Sequence, residues 1–326
     1  MKNALVITTI NPPRKEVVAF SKLSDWNVIC VGDKKSPKKW HANNVTYLSV
    51  IDQKKLFPQF SKLLPWNVYG RKNIGYLFAI KNKFPLIGET DDDVLPYKNF
   101  PPLLNKNGKA VLLHGAKFLN IYKRFNKGNS WPRGLPLDSI KNEGIIKKNN
   151  ADVYSPIQNS VIDCDSDFDA IYRLTSNKPV KFYKRGKFAL EKGTYSPINS
   201  QNTFFYPEAY TLLYMPSYVN PRVEDILRGY IAQRILWEIN GRITFNYTTA
   251  YTKNRNPHDY LNDFKNELFL YLETKKIIDL LDSLSLSSDI NRSLIKVYSK
   301  LAKANFVKKE EAQLVKAWIR QIEKFS

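Results

Sequence analysis

The first ninety residues constrain the fold most, because short β-branched runs alternate there with helical stretches. "ALVITTI" (4–10) reads as a strand broken by "NPP". "RKEVVAFSKL" reads as a helix, and "WNVICVGD" (26–33) as a second buried strand before the polar loop "KKSPKKW". "VTYLSV" is a third short strand. "YGRKNIGYLFAIKN" (69–82) sets Ile74, Leu77 and Phe78 at i, i+3 and i+4, which predicts a helix. "PLIGETDDD" (85–93) follows as a strand. Such alternation argues for an α/β fold with a parallel sheet and crossover helices. Ligands of such sheets bind beyond the carboxyl ends of the strands. Asp33 and the triplet Asp91, Asp92 and Asp93 are expected at such ends.

The middle of the chain, 100–220, mixes short strands, Pro-rich turns and aromatics. "PRVEDILRGYIAQRILWEING" (221–241) predicts a helix with Pro near its start, acids in its first turn and Asn-Gly at its stop. "RITFNYTTAY" reads as one more strand. From about His258 the pattern is helical to the end. Leu294, Val297, Tyr298 and Leu301 form one apolar stripe, and Leu314, Ala317, Trp318 and Ile322 another. The expected organisation is an α/β domain over 1–256 and a C-terminal helical extension over 257–326.

With 43 % apolar and 25 % charged residues among 326, the chain can bury a core. A net charge of +21 favours anionic partners: nucleic acid, anionic lipid or phosphorylated small molecules. The lysines are dispersed and no Arg-rich tract occurs, so nucleic acid is not expected. Two cysteines, Cys30 and Cys164, with no CxxC exclude a disulfide framework and a structural zinc site, and fit the cytosol. "MKNALVITTINPP" does not read as a signal peptide, and no apolar run approaches 18 residues. The expectation is a cytoplasmic protein, with lysine-mediated peripheral contact at the membrane's inner face left open. GxGxxG, GxxxxGK[ST], GxSxG and HExxH are all absent, and the three histidines (His41, His114 and His258) are scattered.

The aspartate triplet carries the strongest chemical signal. On an extended strand Asp91 and Asp93 would share a face. Two carboxylates at a strand end suit Mg²⁺ or Mn²⁺, which take one or two carboxylates and leave positions for water and phosphate oxygens. The competing reading is a solvated acidic turn with Asp92 as a helix cap. Glu224 and Asp225 fall in the first turn of the predicted helix. They either complement its dipole or supply a general base for an acceptor hydroxyl. Arg71, Lys72 and Arg133 suit phosphate binding, although each taken singly also suits a solvated surface.

In this order, "INPP", "WNVICVGDKKSP", "LPWNVYGRKNIGYLFAI", "TDDD" and "EDILRGYIAQRILWEING" resemble the STELLO family of glycosyltransferase-like proteins. More distantly they resemble the reversibly glycosylated polypeptides, the UDP-arabinopyranose mutases. The resemblance covers roughly residues 4–255 and leaves out the helical tail. It implies a GT-A fold, a nucleotide-sugar-binding α/β sandwich with a metal-binding DxD motif. By position it implies that Thr8, Thr9 and Asp33 meet the nucleoside, and that Arg71 and Lys72 open the helix over the diphosphate. Asp91 and Asp93 match the metal-binding acids, with Asp92 between them. "WPRGLPL" (131–137) resembles the mutase segment in which an arginine, here Arg133, can carry a sugar. Glu224 and Asp225 match the acidic pair that supplies the base in inverting GT-A enzymes. Where the mutases have a metal-site histidine this chain has Tyr251, with His258 a few residues on as a substitute.

Three functions follow as expectations. The first is a Mn²⁺- or Mg²⁺-dependent transferase moving a sugar from an NDP-sugar, with UDP the expected nucleotide, to a glycan or lipid-linked acceptor. Asp225 would be its base, with Glu224 positioning the acceptor. The second is a mutase with a transient sugar on Arg133. The third is a non-catalytic basic binding protein.

Overall fold

The computed structural model describes residues 2–176, 178–253 and 259–325. In chain order the first elements are β1 (Asn3–Thr8), α1 (Lys15–Ser21), β2 (Trp26–Val31), β3 (Val45–Leu48), α2 (Val50–Leu56), α3 (Pro58–Leu63), α4 (Lys72–Lys81) and β4 (Ile87–Glu89). The middle of the chain supplies β5 (Leu95–Pro96), β6 (Asn107–His114), α5 (Tyr122–Phe125), β7 (Ile145–Tyr154), β8 (Ile157–Ser160), β9 (Asp163–Cys164), α6 (Ala170–Thr175), β10 (Lys187–Leu190) and β11 (Thr203–Phe205). Then come α7 (Glu224–Leu236), β12 (Ile243–Asn246), β13 (Ala250–Thr252), α8 (Tyr260–Ser283), α9 (Ile290–Lys303) and α10 (Lys309–Glu323).

Ten strands form one sheet in the order β3-β2-β1-β4-β11-β8-β12-β10-β6-β7. The first four are parallel, as the β/α alternation predicts. Beyond β4 the sheet is mixed: β11 is antiparallel to both neighbours, whereas β8 pairs with β12 and β10 with β6 in parallel. A second sheet has the order β5-β13-β9. This is the α/β sandwich expected of a GT-A-like fold, with helices at the C-terminus.

Two local expectations are corrected, and one stretch without an expectation is filled in. The "PLIGETDDD" strand ends at Glu89, and Asp91–Asp93 lie in the turn beyond it, where Val94 N donates to Asp91 O. Strand alternation therefore does not orient the triplet. "RITFNYTTAY" is two strands in two different sheets, β12 and β13, because the chain leaves the large sheet at Asn246. Residues 50–63 hold two unforeseen helices. The Ser49 side chain accepts from Asp52 N, and the Asp52 side chain accepts from Ser49 N. This capping box starts α2, and Pro58 opens α3.

Helix α7 is buried over all its residues, which explains why polar and apolar side chains alternate without a clear face. Its Gly229 allows close contact: a Cβ there would lie 2.5 Å from Ile198 Cγ1. The stripes expected in the tail point inward. Leu294, Val297, Tyr298 and Leu301 of α9 and Leu314, Ala317, Trp318 and Ile322 of α10 are buried in the same core as β1, α4 and α7. Trp318 packs against Phe60 of α3 at 6.1 Å and donates its indole N–H to Thr211 O at 3.0 Å. Glu311 of α10, fully buried, accepts from Ser217 N and Tyr218 N at 3.0 and 2.7 Å and from the Tyr214 hydroxyl. Among the described residues no helix is long and apolar enough to cross a membrane.

Candidate active site

The carboxyl ends of β1, β2 and β4 open onto a cleft of about 440 Å³. Thr8, Thr9, Asp33, Arg71, Asp91, Asp92, Asp93, Arg133 and Asp225 all border it. The fold thus gathers residues from six separate stretches. Lys72 and Glu224 lie just behind the wall, and His258 falls outside the described residues.

Beyond β2, Asp33 accepts from Asn67 N and Lys34 N at 2.8 and 2.6 Å, which ties the β2 loop to the residues before α4. Thr9 donates through its hydroxyl to Asp92 at 2.5 Å and accepts from Asn11 N at 3.0 Å. Arg71 borders the cleft but is buried, with its guanidinium engaged by protein acceptors. It donates to Gln53 and to Leu64 O and Ser61 Oγ, and its guanidinium stacks 3.6 Å over Trp66. Burial lowers its pKa to about 10, which still leaves it charged at neutral pH.

The repulsion among the three aspartates is offset locally. Lys72 Nζ, fully buried, lies 3.3 Å from Asp91 and also meets the Tyr69 hydroxyl, itself bonded to Asp91. Asp92 accepts from Asn11 at 2.9 Å and has the Arg14 guanidinium at 3.7 Å. Burial, reinforced by Asp91, pushes the Tyr69 pKa well above its usual value, so the phenol stays a donor.

Across the cleft Arg133 is locked. It donates to both oxygens of Asp167, at 2.9 and 2.6 Å, to both oxygens of Asp225, at 3.0 and 3.1 Å, and to Arg222 O. Burial works against the charge, but Asp167 and Asp225 outweigh it and hold the guanidinium pKa well above normal. Asp225 also receives Ser200 N at 3.3 Å. Glu224 points back into the protein near Gly70, and a Cβ at 70 would come within 3.3 Å of its carboxyl. Burial first, and Asp225 second, raise its pKa well above its usual value. Tyr69, Asp167, Ser200 and Arg222 border the cleft without having been singled out from sequence.

Among the described residues no three His, Cys, Asp or Glu side chains converge into a protein-only metal cage. The lining nevertheless carries six aspartates (Asp33, Asp91, Asp92, Asp93, Asp167 and Asp225) against four cations (Lys35, Arg71, Arg133 and Arg222). A diphosphate entering an acid-rich cleft is repelled unless a cation accompanies it. Oxygen donors in a site open to phosphate suit the hard-ion mode in which one or two carboxylates share the ion with water and substrate.

Residues 222–326 match the family described as STELLO glycosyltransferases. Over 98 % of its length the chain is 27 % identical to "Probable glycosyltransferase STELLO2" and 26 % identical to "Probable glycosyltransferase STELLO1", both from Arabidopsis thaliana. The chain is STELLO-like. The family match runs through the C-terminal helices, so the sequence expectation that the likeness stops near residue 255 is corrected. The STELLO-like chain spans 44 % of each of these relatives, less than half their length.

Proposed function

We propose that the chain is a metal-dependent glycosyltransferase that moves a sugar from an NDP-sugar, with UDP the first candidate, to a hydroxyl of a glycan or lipid-linked acceptor. The observation that carries this reading is the acid-rich cleft at the strand ends with Asp225 facing it. Asp91 and Asp93 would hold Mn²⁺ or Mg²⁺ together with the diphosphate. The ion's chemistry there is to neutralise the leaving group. Thr8, Thr9 and Asp33 border the nucleoside end. The acceptor oxygen bonds to the anomeric carbon as its proton passes to Asp225 and the diphosphate departs. Arg133 holds the Asp225 carboxyl in place through its two bonds to it.

The relatives' printed names support transferase activity in general. The mutase alternative asks Arg133 to act as a nucleophile. A guanidinium is a poor nucleophile while charged, because its nitrogen electrons are delocalised over the cation, and two carboxylates hold Arg133 in that charged form, which favours the transferase. The positive charge of the whole chain suits an anionic membrane surface carrying a lipid-linked acceptor.

A thermal-shift panel of UDP, GDP, CMP and ADP, each with and without Mn²⁺, tests the proposal. A metal-dependent rise with one nucleotide is expected, because a ligand that binds only the folded state stabilises it. No shift with any of the four would overturn it.

A further inference from the structure

The cleft's arginines are not equivalent. Arg71 and Arg133 donate from all three guanidinium nitrogens to protein oxygens. Arg222 does not. Its Nε donates to Glu267 Oε1 at 2.9 Å and its Nη2 to the same oxygen. Its Nη1 has Asp167 at 3.8 Å, beyond hydrogen-bond range, and the side chain borders the cleft with 17 % of its surface exposed. Asp263 lies 3.9 Å from Nε on the gripped side. Among the described residues Nη1 donates no hydrogen bond and has only the loose ion pair with Asp167, so it retains a donor for an oxyanion.

The grip is itself anchored. Glu267 belongs to α8 and is fully buried. Its Oε2 accepts from Ala170 N at 2.9 Å and from the Tyr271 hydroxyl at 3.0 Å. The same hydroxyl lies 3.0 Å from Asp169 Oδ1. One phenolic proton cannot serve two carboxylates, so a proton on Asp169 completes the arrangement. Burial, and then the Glu267 charge, raise the Asp169 pKa to about 7. The groups facing Asp169 are Glu267 and Tyr271 from α8 and the Trp131 indole, with Arg222 on the far side of Glu267.

We infer that Arg222 takes the phosphoryl end of the donor through Nη1, and that Glu267, from the C-terminal helices, is the positioning residue that aims it. The inference rests on the transferase reading and adds residues to it. It makes α8 part of the donor site.

Titration calorimetry with Mn²⁺ present and inorganic pyrophosphate, UDP and uridine as probes tests it. Pyrophosphate makes the result independent of the base. Arg222→Ala should weaken pyrophosphate and UDP roughly tenfold or more and leave uridine unchanged. Glu267→Gln should weaken pyrophosphate several-fold. It should leave uridine affinity unchanged, because the aim of Arg222 concerns the phosphoryl end alone; a merely structural role would weaken uridine as well. Arg222→Lys, which keeps the charge against Glu267 and loses the fork, gives the same reading if Arg222→Ala does not fold. UDP binding that persists while pyrophosphate affinity is indifferent to Arg222 would overturn the inference and leave the transferase reading standing. A wild-type protein that binds neither UDP nor pyrophosphate would overturn both.

Discussion

Glu89 at the end of β4 and Arg228 in α7 form a buried, two-pronged ion pair, with Nη1 of Arg228 3.0 Å from Oε2 of Glu89 and the Tyr76 hydroxyl on the same oxygen. Glu89 leads into the aspartate turn, and Arg228 lies one helical turn beyond Asp225. The pair therefore fixes the spacing between the acids proposed to hold the donor and the acid proposed as base.

Removing one partner leaves an uncompensated buried charge. Arg228→Met should cost about 3–5 kcal/mol of stability, and Glu89→Gln with Arg228→Met together should cost less than Arg228→Met alone. Urea denaturation of Arg228→Met, Glu89→Gln and the double variant checks this. A double-variant loss equal to the sum of the two single losses would show that the pair does not couple.

Asp225→Asn keeps the shape of the side chain and removes its charge and basicity. Turnover of the identified donor should fall by about 10²–10⁴-fold, while UDP affinity changes little. Activity within a few-fold of wild type would remove Asp225 from the mechanism.

Lys72 competes with any cation for Asp91. Lys72→Met should tighten Mn²⁺ binding, read by calorimetry, and lower the melting temperature of the metal-free protein, because the aspartates then lack their buried counter-charge. Weaker Mn²⁺ binding in this variant would count against Asp91 as a ligand. Chelation with EDTA should abolish the nucleotide-induced thermal shift.

Asp169 gives stability a signature in pH. Its folded pKa, raised to about 7 by burial and Glu267, exceeds the unfolded value of about 3.9. The folded state thus binds the extra proton. This contribution is fully present below pH 4 and is lost as pH rises through 7. In Asp169→Asn the fall in stability between pH 4 and 7 should be shallower than in the wild type. Unfolding curves across that window measure it, and parallel slopes would contradict the raised pKa.

Glu311 binds the 214–218 segment through two backbone amides and a phenol. Glu311→Ala strands buried donors, at about 1–3 kcal/mol for each one left unsatisfied. A change below about 0.5 kcal/mol in denaturant unfolding would show that water or a rearrangement replaces the carboxylate.

Much of this was legible in the sequence, and the reasons differ by residue. The parallel start of the sheet was readable because β-branched runs and turn residues are local signals. The inward stripes of α9 and α10 were readable because their spacing matches the helical period. Asp33, Asp91–Asp93 and Asp225 were findable because strand ends and a helix start attract ligand chemistry. The orientation of the triplet was not, since the strand stops at Glu89 and turn geometry has no period. Arg133 reads as an exposed cation in sequence, yet it is buried because Asp167 and Asp225 reach it from 34 and 92 residues away. Asp167 and Asp169 did leave a trace, the alternating acids of "DCDSDFD" (163–169), each with its own distant or local partner. Arg222 carried no such trace: its importance lies in the donor it has left over.

The contact between Glu311 and the 214–218 segment also sets an order of events during synthesis. The polypeptide emerges from its N-terminus, and the strands that shape the cleft are available early. Residues 214–218 cannot be secured until position 311 has been made and α10 has docked. A nascent chain that has not yet reached that position would thus present the sheet beside an unsecured 214–218 segment.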